Sequence, residues 1–127
     1  MRWIWMRTRT FRDLQVWQRS VCLAREVYTV TQAFPKSEVF GLTSQLRRAA
    51  VSVPSNVAEG QGRLSDKHFA LFSGHARGSL SELETQIELA HSLCYLDAVA
   101  KDALIEECAE IGRMLNGLLK TLREQQV

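Results

Sequence analysis

Glu88 and His91 stand three residues apart, a spacing at which one helix face offers a carboxylate and an imidazole to a single metal ion. A di-iron site in a helical bundle needs two such pairs and two more inward-facing glutamates, and this chain of 127 residues has only this pair. His68 and His75 share a face, and Glu82 extends their row. Seven residues separate the two imidazoles by about 10 Å along a helix axis, however, whereas metal ligands lie at about 2 Å. No glycine-rich phosphate loop follows a strand, and no G-x-S-x-G elbow occurs. The sequence therefore predicts no enzymatic activity, no cofactor and no metal. Cys22, Cys94 and Cys108 are odd in number, widely spaced and without a C-x-x-C pair. That pattern predicts reduced thiols in a cytoplasmic protein rather than a disulfide framework.

Charge is the other chemistry on offer, and its position says more than its total of +2. Between residues 47 and 77, Arg47, Arg48, Arg63, Lys67 and Arg77 outnumber Glu59 and Asp66. From 82 to 110 the balance reverses: Glu82, Glu84, Glu88, Asp97, Asp102, Glu106, Glu107 and Glu110 face Lys101 alone. Arg63, Lys67 and Arg77 are the phosphate candidates, with Arg47 beside them; the alternative is a solvated basic surface. In the opening "MRWIWMRTRT", Arg2, Arg7 and Arg9 alternate with Trp3 and Trp5, which reads as a nucleic-acid arm or as a plain tail. Met6 is a second possible start. The stretch lacks the apolar run of a secretory signal, and no segment is long and apolar enough to span a membrane.

Periodicity supplies the elements that position these groups. Residues 11–127 read as one domain behind a tail of residues 1–10, large enough for a core without disulfides. Thr10 and Asp13 form a capping pattern. After it, Leu14, Trp17, Val21, Ala24 and Tyr28 recur at helical spacing, with a second row of Val16, Leu23, Val27, Val30 and Phe34, and Pro35 stops the helix. A second helix starts between Ser37 and Thr43 and runs to Gly60 and Gly62. Ser65 caps a third of about 30 residues, with Phe69, Phe72, Ala76, Leu80, Leu83, Ile87, Ala90 and Cys94 as its seam. Asp97 caps a fourth, in which Leu104, Cys108, Ile111, Leu115, Leu118 and Leu122 keep a heptad rhythm. Four long helices with short connections predict an all-α, antiparallel up-and-down four-helix bundle.

The second helix is the unusual one. Leu42, Leu46, Ala49, Val53 and Val57 form its core stripe, and Gln45, Arg48, Ser52, Asn56 and Glu59 line the neighbouring face. The remaining side, with Thr43, Val51, Pro54 and Ala58, carries only Arg47 as a strong charge, so the helix is expected to lack a solvated face. A helix that is apolar or small nearly all round is buried on more than one side. The expectation is that Val51, Pro54 and Ala58 meet another subunit. Pro54 would bend the helix and free the Ala50 carbonyl, Asn56 and Glu59 would fix register, and Arg48 would pair with Glu59 or with a neighbour. The alternative is a kinked helix with a satisfied buried polar pair and no partner. On the third helix Ala70, Gly74 and Gly78 recur four apart, which points to close backbone approach, to a partner or within the bundle.

Three segments carry a resemblance. "DLQVW" at 13–17, "GLTSQLRRAAVSVPSNVAEG" at 41–60 and "GSLSELE" at 78–84 resemble the four-helix-bundle family of 23S rRNA intervening-sequence proteins. The resemblance covers nearly all of the chain after residue 10. It implies a homo-oligomer, with ring-like pentamers among relatives, and a distant similarity to the accessory protein of diversity-generating retroelements, which works with a reverse transcriptase and nucleic acid. The family has no established catalytic residues to carry over. Two functions follow from charge and resemblance together. Either a ring repeats a weak phosphate patch and acts as an RNA or DNA scaffold, or basic and acidic segments orient a head-to-tail contact and the ring is an adaptor for a protein partner.

Overall fold

The structure is a computed structural model and describes residues 10–63 and 65–125. Arg2, Trp3, Trp5, Met6, Arg7 and Arg9 lie outside the described residues. Four helices account for most of the rest: α1 (Gln15–Thr31), α2 (Leu42–Gln61), α3 (Asp66–Ser92) and α4 (Ala98–Glu124). Each packs on two neighbours, α1 on α2, α2 on α3, α3 on α4 and α4 on α1, and the backbones of the diagonal pairs stay further apart. This is an up-and-down four-helix bundle.

Polar side chains set the helix starts. Ser65 Oγ accepts from the His68 N–H at 3.3 Å, and Asp97 accepts from the Ala100 N–H at 2.8 Å. Thr10 and Asp13 do form a capping box, but it closes a 3-10 turn over Phe11–Asp13, and α1 begins only at Gln15. The start of α2 has no cap on Gly41; instead the Glu38 carboxylate accepts from the Leu42 N–H at 3.0 Å. The other oxygen of Glu38 accepts from the Tyr95 hydroxyl at 2.9 Å, and Tyr95 lies against Phe34 with ring centroids 5.4 Å apart. The α1–α2 and α3–α4 connections are thereby tied together at one end of the bundle.

The core selects one of the two apolar rows of α1. Val16, Leu23, Val27 and Phe34 are buried, whereas Leu14, Trp17, Val21 and Ala24 are half-buried and Tyr28 is 44% exposed. The row read first from the sequence is the rim and the second is the core. In α4 the expected seam holds at Leu104, Cys108, Ile111, Leu115 and Leu122 and differs at one place: Leu119 is buried and Leu118 only partly so. A helix of 3.6 residues per turn drifts by about 20° per heptad, and over this length the drift carries position 118 off the seam.

The end of α3 also differs from expectation. Cys94 is not part of a seam; it is exposed, beyond the helix end, with φ 65°. The Cys94 N–H donates to the His91 carbonyl and the Tyr95 N–H to that of Ala90, both at 2.9 Å, the two bonds of a Schellman ending. Its left-handed position suits glycine, because a Cβ there costs about 1 kcal/mol or more. Cys94→Gly is expected to raise stability by about 1 kcal/mol, read as a higher midpoint in urea unfolding.

Candidate functional site

Two faces of α2 are occupied by its own bundle, which corrects the expectation that it lacks a solvated side. Towards α1, Arg47 lies over the Tyr28 ring at 4.5 Å and donates to Thr31 Oγ1 at 2.9 Å, and Thr43 is buried. Pro54 follows on that same flank; it too is buried, and α2 runs through it without interruption. Towards α3, Ser52 Oγ and Ser79 Oγ are 2.8 Å apart, and Asn56 Nδ2 donates to the Ser52 carbonyl at 2.8 Å and to Ser52 Oγ at 3.0 Å. The water-facing side is Gln45, Arg48, Val51, Ser55 and Glu59. The buried arc is wide because helices flank α2 on both sides and the small Ala50 and Gly60 let them come close.

The residues expected to meet a partner therefore divide. Arg48, Val51 and Glu59 are exposed, and Ala58 is half-buried. Pro54 is covered within the chain and presents no surface, and the Asn56 amide N–H groups are spent on Ser52. Glu59 pairs with Arg63 at 2.7 Å, not with Arg48, which stands eleven residues, or about 16 Å, away along the helix.

The phosphate candidates also separate. Arg63 and Lys67 are exposed at the α2–α3 turn, where the Arg63 guanidinium also lies 5.2 Å from the Phe72 ring centroid. Arg47 is committed to α1 near the opposite end of the bundle. Arg77 lies about 15 Å along α3 from Lys67 and donates to Asn116 Oδ1 of α4 at 2.9 Å. In an up-and-down bundle the α2–α3 turn shares its end with the start of α1 and the finish of α4. Exposed Arg12, Lys120 and Arg123 therefore join Arg63 and Lys67 there, and residues 1–9 attach at Thr10. Asp13, Glu59, Asp66 and Glu124 share the end, with Glu59 engaged by Arg63. Sequence reasoning missed Lys120 and Arg123; the signal for Arg123 was its place in the last turn of a helix, where cations complement the exposed carbonyls, and Lys120 lies one turn before it.

A second surface opens near the other end. Tyr28, Val39, Thr43, Ser44, Arg48 and Val51 line a groove of about 540 Å³ on the outside of α1 and α2. Phe40, in the connection between these helices, is 95% exposed. Gly74 and Gly78 face open space, so no helix of the same bundle approaches them; the close approach is made at Gly60 instead, where an added Cβ would lie 2.8 Å from Phe72 Cβ.

The groups first considered for chemistry are otherwise employed. His91 Nδ1 is 3.0 Å from the Leu96 carbonyl, Glu88 faces Lys101 at 3.6 Å, and His68 Nδ1 is 3.2 Å from Ser65 Oγ. Burial pushes the Cys108 thiol up to about 12, helped by Glu84, Glu107 and Glu26, so it stays protonated at neutral pH. Among the described residues no three His, Cys, Asp or Glu side chains gather closely enough to hold a metal ion.

The sequence profile of the 23S rRNA-intervening sequence proteins matches residues 12–117. The chain belongs to that family. A crystal structure of a protein of unknown function from the S23 ribosomal protein family of Bacteroides thetaiotaomicron superposes with a TM-score of 0.75. Its identity to this chain is 20%, over 83% of this chain and 98% of that one, a likeness that speaks for the fold. No curated protein matches the sequence. Within this 23S rRNA-intervening sequence protein, the match takes in α1, α2, α3 and most of α4, and so both the groove and the α2–α3 turn.

Proposed function

We propose that this 23S rRNA-intervening sequence protein is a non-enzymatic, cytoplasmic homo-oligomer, a ring with five subunits favoured, that associates with RNA or DNA as a scaffold. The observation that supports nucleic-acid association is the gathering of Arg12, Arg63, Lys67, Lys120 and Arg123 from four segments at one end of the bundle. One subunit offers a modest phosphate contact, and a ring with its subunits aligned repeats that contact on one rim, so avidity multiplies weak sites. No described helix is long and apolar enough to cross a membrane, and no membrane role enters the proposal.

The test is the affinity of nuclease-treated protein for a structured RNA and a matched duplex DNA across a salt series. Log affinity is expected to fall linearly with log salt, with a slope of several. Combining Arg63→Gln, Lys67→Gln and Lys120→Gln is expected to flatten that slope while assembly is preserved, whereas Arg47→Gln, at the other end, leaves it unchanged. Absence of binding at low salt would favour the second reading, a ring that is an adaptor for a protein partner. The groove on α1 and α2, which exposes Tyr28, Val39 and Val51 beside Arg48, is the observation behind that alternative.

A further inference from the structure

Eight large apolar side chains are exposed among the described residues, and seven of them fall into two groups. Tyr28, Val39, Phe40 and Val51 belong to α1, α2 and the connection between them. Leu89, Leu93 and Val99 belong to α3, α4 and theirs. The two groups sit at the same end of the bundle, because the Tyr95–Glu38 hydrogen bond and the Phe34–Tyr95 contact join those connections. Their charges are opposite. Lys36 and Arg48 border the first group, and neither makes an ion pair among the described residues. Glu88 and Asp102 border the second, 59% and 72% exposed in their side chains, with Lys101 between them and Asp97 at the start of α4.

The geometry points to a head-to-tail contact between copies of this chain. The groove of one copy, lined by Tyr28, Val39, Val51 and Arg48, with exposed Phe40 next to Val39 in the chain, receives the acidic apolar patch of the next, built on Leu89, Val99 and Glu88. This rests on the self-assembly reading above and deepens it by naming both faces. A groove meeting its own copy would set Arg48 and Lys36 against the same cations, whereas the acidic patch offers both the apolar area and the opposite charge. Each copy uses two different faces, so the contact is heterologous. The two faces lie at the same end of the bundle, so the contact needs little rise from one subunit to the next, and it closes into a ring where its rotation divides a full turn.

The two faces can be disabled separately. Phe40→Asp with Val51→Asp spoils the groove, and Leu89→Lys with Val99→Lys spoils the patch. Light scattering is expected to show an assembly for the unmodified chain and single chains for each double variant. A 1:1 mixture of the two variants is expected to give a two-chain species and nothing larger, because one intact groove and one intact patch remain per pair. Circular dichroism checks that each variant folds. If one does not, the single changes Phe40→Asp and Val99→Lys replace it, at side chains 95% and 80% exposed. An assembly unaffected by the groove variant, or a mixture that stays monomeric while the unmodified chain assembles, overturns this pairing and leaves self-assembly standing. A monomeric unmodified chain overturns both.

Discussion

Replacing Gly60 with alanine is expected to destabilise the subunit by about 1–3 kcal/mol, and replacing it with valine by more. Gly60 is buried in the last turn of α2, where an added Cβ would stand 2.8 Å from Phe72 Cβ, 3.1 Å from Phe69 Cδ1 and 3.3 Å from Phe69 Cα. Two of these atoms are fixed to the backbone of α3 and cannot swing aside, so the helices must move apart. Alanine is otherwise preferred over glycine in a helix by about 1 kcal/mol, and that preference is outweighed here. Gly74 and Gly78 supply the contrast. Nothing stands within 4 Å of a Cβ at either position, and alanine there is expected to stabilise the subunit by up to about 1 kcal/mol each. Urea unfolding at one fixed protein concentration measures all three, since assembly would otherwise shift the midpoints. A neutral Gly60→Ala would contradict the close approach of α2 to α3.

The second large effect separates the two apolar rows of α1. Leu23→Ala is expected to cost about 2–5 kcal/mol, the range for removing a fully buried leucine. Tyr28 is 44% exposed, with Arg47 over its ring, so Tyr28→Ala is expected to cost far less and to act on assembly instead. The same contrast holds at the far end of α4, where Leu119→Ala should fall in the large range and Leu118→Ala well below it. Comparable losses at Leu23 and Tyr28 would mean that α1 is rotated about its axis relative to this structure.

These contrasts show where the sequence was legible. Helical spacing and the caps Ser65 and Asp97 placed α3 and α4 closely, and Pro35 bounded α1. Periodicity could not tell which of two adjacent rows on α1 faces inward, because both are apolar and lie within one turn of each other. It could not show that α2 has neighbours on two flanks, so the buried Thr43 and Pro54 read as an outward face, and Val51 kept its place on the surface for a different reason. Cys94 fell on the α3 seam by spacing, yet a Schellman ending, which here has no glycine to announce it, had already stopped the helix. Of the basic residues, Arg63 and Lys67 come together because a turn joins their helices. Lys120 and Arg123 reach the same end only through the up-and-down topology, and Arg47 leaves the group because it is held by Tyr28 and Thr31.

Light scattering of the protein alone and bound to a structured RNA bears most directly on the claim that a closed assembly offers its basic end to nucleic acid. The account predicts one discrete multi-chain mass, five chains favoured, that stays constant with protein concentration and adds a single RNA without changing its number of chains. A protein that stays a single chain at high concentration, or that binds RNA one chain at a time, would contradict it.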